Sequence, residues 1–104
     1  MKEITVEELK AMIDGNQEFQ LIDVREPFEY EVSNLNGVNI PLAGVLLEAD
    51  KIDKTIPVVV HCRSGKRSAQ AISLLAQQGY DNLSNLQGGI LAWQEEIDPD
   101  MEVY

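Results

Sequence analysis

The chain has 104 residues, 44% hydrophobic and 25% charged, which suits one domain over residues 1–104 with a single core. Eighteen Asp and Glu against eight Lys and Arg leave a formal net charge of −10, which disfavours nucleic acid and anionic membrane, because phosphate binding needs clustered cations over a broad face. One cysteine and one histidine exclude an intramolecular disulfide and a Cys/His zinc site, and no run approaches the roughly 18 apolar residues of a membrane span.

The start, Met1 to Glu8, carries acid where a secretory signal is apolar, so a cytoplasmic location is expected. Thr5 with Glu8 three residues on reads as a capping box; Val6, Leu9 and Ile13 share a helical face, and Gly15 ends a first helix near residues 5–14. Phe19 to Val24 is a short apolar run, a strand, and Pro27 suits the first turn of a helix through about Tyr30. Val38-Asn39-Ile40 fits a short strand stopped by Pro41, and Leu42 to Asp50 is weakly helical.

Pro57-Val58-Val59-Val60-His61 is continuous and β-branched, the pattern of a strand buried on both faces of a parallel sheet. From Ser68, Ala69, Ile72, Leu75 and Ala76 recur at helical spacing, with Gly79 placed for a left-handed cap. Leu83 to Leu86 is a last strand, Gly88-Gly89 a turn, and Ile90, Trp93 and Ile97 a final apolar helical face. Strands alternating with helices predict an α/β domain with a largely parallel sheet.

In such sheets ligands bind beyond the carboxyl ends of the strands, and Cys62-Arg63-Ser64-Gly65-Lys66-Arg67 leaves the most buried strand at that end. Gly65 allows positive φ, so successive N–H groups can converge on one point, while the next helix aims its positive end there. Arg63, Lys66 and Arg67 gather three of the eight basic residues beside Cys62. Helix end and cations together favour thiolate, which makes Cys62 the candidate nucleophile and Arg63, Ser64, Gly65, Lys66 and Arg67 the candidate anion cradle. Arg63 and Lys66 are expected at the mouth, and Arg67 either there or turned inward to hold the loop's shape. The bland alternative is that Cys62 is a small buried hydrophobe.

The segment Val58 to Ser68 resembles the active-site strand and loop of the rhodanese family. Leu21-Ile22-Asp23-Val24-Arg25-Glu26 with Glu29-Tyr30 resembles its amino-terminal signature, and Leu86 to Trp93 its carboxy-terminal one, so the likeness covers nearly the whole chain. One stretch departs: Ser33-Asn34-Leu35-Asn36-Gly37-Val38 stands where the family usually has Gly-His-Ile-Pro-Gly-Ala. The resemblance implies a three-layer fold, five largely parallel strands with helices on both faces. It also implies a Cys62 thiolate that takes sulfur from thiosulfate or a persulfide donor and passes it to cyanide, a thiol or a partner protein. That chemistry calls for no metal and no cofactor.

Alternation along the strand points His61 away from Cys62, so it reads as a core histidine rather than a general base. Asp23 and Arg25 read as an ion pair or turn stabilisers, and Trp93 as core. Three rival functions share parts of the pattern. Tyrosine and dual-specificity phosphatases also use a His-Cys loop closed by Arg-Ser, but with one residue more between Cys and Arg than the four here. A reductase needs a second thiol to resolve an oxidised Cys62. A non-catalytic binding module on the same fold usually lacks the cysteine or its glycine, and both are present.

Overall fold

The computed structural model describes residues 1–104 in full. In chain order it contains β1 (Glu3–Ile4), α1 (Val6–Asp14), β2 (Gln20–Asp23), α2 (Pro27–Val32), β3 (Val38–Asn39), β4 (Val58–His61), α3 (Lys66–Ala76), β5 (Leu83–Leu86) and α4 (Gly89–Glu96). The strands form one five-stranded sheet in the order β1-β5-β4-β2-β3, and every neighbouring pair is parallel.

The central strand, β4, is buried at all four residues, as its continuous apolar run requires. Alternation divides it between two cores. Val58, Val60 and Cys62 pack with Ala71, Ile72 and Leu75 of α3; Val59 packs with Val6 and Leu9 of α1 and Trp93 of α4. These are the outer layers of an α/β fold of three layers. β2 leads through α2 to β3 on one side, while β4 leads through α3 to β5 on the other. Their carboxyl ends therefore bound a crevice at a topological switch point, and Cys62 stands in it.

Local signals account for much of this. Thr5 and Glu8 form the full capping box, Thr5 Oγ1 accepting from Glu8 N–H and Glu8 Oε1 from Thr5 N–H. Pro27 opens α2, which runs on to Val32. Gly79 takes the left-handed conformation at φ 90°.

Several expectations are corrected by packing. The edge strand β1 is two residues long, too short for any periodicity, and exists because Lys2 and Ile4 carbonyls accept from Asn85 and Gln87 N–H. Gly15 does end α1, as expected, although the positive φ falls on the next residue, Asn16 (52°), and not on Gly15 (−84°). Ile13 is exposed, and half-buried Met12, one turn on from Leu9, completes the stripe instead. Leu42 to Asp50 forms two 3-10 turns, Leu42–Gly44 and Ala49–Lys51, rather than a helix. In α3 the buried face is Ser68, Ala71, Ile72 and Leu75, because the helix starts at Lys66; Ala76 is exposed. The Gly88-Gly89 turn runs directly into α4, with Gly88 as its cap and Gly89 as its first residue.

The departing segment is held by its own polar groups. Asn34 Nδ2 donates to Tyr30 O, Asn34 Oδ1 accepts from Asn36 N–H, and Tyr30 Oη donates to Gly37 O. No helix is long and apolar enough to cross a membrane.

Candidate active site

Cys62 follows the last residue of β4 on the face that α3 covers. The chain turns at Gly65, whose φ of 110° only glycine takes readily, and enters α3 at Lys66. That turn folds the loop back over the sulfur. Gly65 N–H donates to Cys62 Sγ at 3.1 Å, Ser68 N–H lies 3.4 Å from it, and Ser68 Oγ also 3.4 Å.

Two opposed forces set the acidity of Cys62. Burial pushes the thiol up, since the residue is only 1% exposed. Hydrogen bonds from the Ser68 hydroxyl and from the Ser68, Gly65 and Ser64 N–H groups outweigh it and bring the thiol below its ordinary value. The converging N–H groups and the helix end expected from the sequence supply most of the donors, as backbone N–H groups of the loop and the first turn of α3 beside the Ser68 hydroxyl, and of the cations Arg67 couples electrostatically to Cys62.

The five candidate cradle residues part company. Ser64 and Gly65 contribute N–H groups. Lys66 is exposed and makes no hydrogen bond or ion pair, leaving its ammonium free beside the loop. Arg63 is exposed, and its Nε donates to Tyr104 O at 2.7 Å, while the Tyr104 ring meets Phe28 edge-on at 4.8 Å. Arg67 turns inward: Nη1 and Nη2 reach Glu29 Oε1 and Oε2 at 2.7 and 3.0 Å, a bidentate pair bracing α3 against α2. That pair, more than any other contact, holds the Glu29 carboxyl below its usual range.

The loop is also held from below. Ile90 and Leu91 N–H groups, at the start of α4, donate to Cys62 O at 3.0 Å and Arg63 O at 3.1 Å. The approach is so close that a Cβ on Gly89 would stand 2.5 Å from Arg63 O and 2.6 Å from Cys62 O.

On the opposite face of the sheet, Arg25 is fully buried and gives Nε to Asp23 Oδ1 at 3.0 Å and Nη2 to Asp23 Oδ2 at 2.7 Å. It also reaches the carbonyls of Glu29 and Ser33, tying β2 to α2. His61 lies beside this pair, Nε2 3.6 Å from Asp23 Oδ2 and Nδ1 3.4 Å from Cys62 O. Burial pushes its pKa down, and neighbouring Arg25 adds to that against the pull of Asp23. The imidazole is neutral at pH 7 and faces away from the sulfur, the core role its strand position implied.

Glu29, Ser68 and Gly89 fall within the three stretches that resemble the family, but the sequence assigns none of them its contact here: Ser68, three residues after Gly65, lies in the first turn of α3 facing the loop, Glu29 pairs with Arg67, and Gly89 admits α4 beneath the loop. Asn85, on β5, carries no local signal. A groove of about 750 Å³, lined by Met12, Phe19, Leu35 and Trp93 among others, does not include Cys62. Chemically, the site is a nucleophile in a ring of N–H donors with one free cation beside it, suited to attack on a small anionic electrophile.

Comparison with known proteins is consistent with this geometry. Residues 5–96 match the family model described as Rhodanese-like domain. A sulfurtransferase of Allochromatium vinosum is 36% identical over 94 residues, 89% of this chain and 88% of that protein. A probable adenylyltransferase/sulfurtransferase of Mycobacterium tuberculosis is 32% identical over 104 residues, and there the match covers 97% of this chain but only 26% of the longer protein. Among solved structures, a rhodanese-like domain protein from Staphylococcus aureus superposes with a TM-score of 0.85 at 30% identity, covering 100% of this chain and 99% of that one.

Proposed function

The chain belongs to the rhodanese-like domain family, and on that premise we propose that it is a sulfurtransferase working through a persulfide on Cys62. The observation that carries the reading is the Cys62 sulfur itself, held below its ordinary pKa by Gly65 and Ser68 donors at 3.1 and 3.4 Å.

The Cys62 thiolate attacks the outer sulfur of an anionic donor, thiosulfate or a persulfide. A bond forms between Sγ and that sulfur, the donor's S–S bond breaks, and sulfite or a thiolate leaves with the electron pair. The acceptor, cyanide, a thiol or a partner protein, then attacks the outer sulfur, and Cys62 leaves as thiolate. No general base is required. The N–H groups of Ser64, Gly65 and Ser68 receive the negative outer sulfur, and the free ammonium of Lys66 attracts the donor. Arg63 joins Lys66 at the mouth once it gives up Tyr104 O, whereas Arg67 supports the cradle through Glu29. Transfer takes place in the cytoplasm, and the net charge of −10 suits a basic protein as acceptor.

The test incubates purified protein with thiosulfate, records the intact mass before and after a cyanide chase, and assays thiocyanate. Wild type gains the mass of one sulfur, cyanide strips it as thiocyanate, and Cys62→Ser does neither. Failure to load sulfur from either thiosulfate or a persulfide donor overturns the reading; phosphate release from a phosphatase substrate then marks a cysteine-dependent phosphatase, and its absence a binding module.

A further inference from the structure

Ser68 Oγ has one proton and three partners within reach: Asn85 Oδ1 at 2.6 Å, Gly65 O at 3.1 Å and Cys62 Sγ at 3.4 Å. A hydroxyl donates once, so these contacts compete. Asn85 is 3% exposed and lies beside Val60 in the β4–β5 register, on the Cys62 face of the sheet.

The orientation of the Asn85 amide follows from its second partner. Its Nδ2 lies 3.2 Å from Gly65 O, an acceptor, and the flipped amide would set two carbonyl oxygens against each other. Oδ1 therefore faces Ser68 and draws its proton. In that arrangement Ser68 Oγ turns a lone pair toward Cys62, which suits a thiol donating S–H. A thiolate reverses the demand: the hydroxyl must rotate to Sγ and give up its 2.6 Å bond to Asn85.

We infer that Asn85 is a positioning residue for Cys62, acting through Ser68 by competing for its single proton and so limiting how far that hydroxyl quenches the sulfur. An uncontested donor makes a thiolate more abundant but less nucleophilic, because nucleophilicity falls with pKa. On the sulfurtransferase reading, the same competition withdraws the hydroxyl when charge passes to the outer sulfur of the persulfide, and restores it when Cys62 leaves as thiolate.

The charged surroundings stay constant in the test. Arg67 on α3 couples to Cys62, Arg63 and Lys66 stand exposed in the loop, and His61 lies across the sheet; β5 and the first turn of α4 carry no titratable side chain. The Cys62 pKa is read from thiolate absorbance against pH, with the limiting alkylation rate by iodoacetamide alongside. Ser68→Ala, which removes the donor, raises the pKa by roughly one to two units. Asn85→Leu lowers it and slows the limiting alkylation rate, and this downward shift vanishes in the Ser68→Ala background. Asn85→Ala, without added bulk, is read the same way if Asn85→Leu does not fold. A shift of equal size in both backgrounds, no shift, or an upward shift in the single variant overturns the inference. Sulfur loading of wild type from thiosulfate and from a persulfide donor, measured in parallel, separates the two readings: loading from either without this pattern removes only the role of Asn85, and the pattern with loading from neither removes only sulfur transfer.

Discussion

Replacing Gly89 by alanine is expected to break the site from beneath. The new Cβ would lie 2.5 Å from Arg63 O and 2.6 Å from both Cys62 O and Arg63 C, and these are backbone atoms that no rotamer change can move aside. Either α4 or the loop must shift, which strains the hydrogen bonds from Ile90 N–H and Leu91 N–H to those two carbonyls. A left-handed residue with a Cβ costs about 1–2 kcal/mol, and each buried hydrogen bond left unmade costs about 1–3 kcal/mol. With both bonds lost the total is about 3–8 kcal/mol, a large share of the roughly 5–15 kcal/mol that holds a domain folded. Gly79→Ala is the control, because Gly79 also has positive φ, 90°, yet nothing stands within 4 Å of its Cβ position; it should lose only about 1–2 kcal/mol. Urea unfolding followed by the fluorescence of Trp93, the single tryptophan and a core residue, measures both. Losses that agree within about 1 kcal/mol would refute the argument that contact between α4 and the loop, rather than backbone strain alone, fixes the cradle.

Other outcomes follow from the ion pairs, the buried histidine and the first helix. Glu29→Gln should cost about 1–2 kcal/mol at pH 7, discounted because Arg67 keeps 33% of its side chain in solvent. Glu29 has a depressed folded-state pKa, so its contribution is present above the unfolded value, about 4.3, and is lost as pH falls through the folded one. The gap between wild type and variant should therefore close in acid, and a constant gap in denaturant titrations would contradict the pairing. His61 also has a depressed folded-state pKa, but as a base its neutral form is the one the fold favours. The unfolded chain binds the extra proton, so stability should fall from about pH 6.5 downward, by at most about 1.4 kcal/mol per pH unit. His61→Asn should flatten that slope, and a wild type that gains stability over the same interval would place an imidazolium on Asp23 instead. Thr5→Ala should lose about 1 kcal/mol with no change in Cys62 alkylation, since the capping box serves only α1; altered alkylation would link that helix to the site.

Much of the molecule was legible in the residues themselves. The capping box at Thr5 and Glu8, Pro27 opening α2, the unbroken Val58–Val60 run of the central strand and the left-handed Gly79 all act within a few positions of themselves. Cys62 beside Gly65, after a strand buried on both faces, marked the candidate nucleophile for the same reason, since strand, turn and helix start are consecutive. What surrounds that sulfur is not consecutive. Arg67 pairs with Glu29 on another helix, Ser68 meets Asn85 across the sheet, and Gly89 lets α4 approach the loop from below. The two-residue strand β1 likewise exists only through its ladder to β5. Periodicity and turn chemistry record backbone conformation and burial, which each residue expresses locally. Which cation serves the ligand and which a carboxylate, and where one hydroxyl sends its proton, depend on distances between elements, and those arise only when the chain closes on itself.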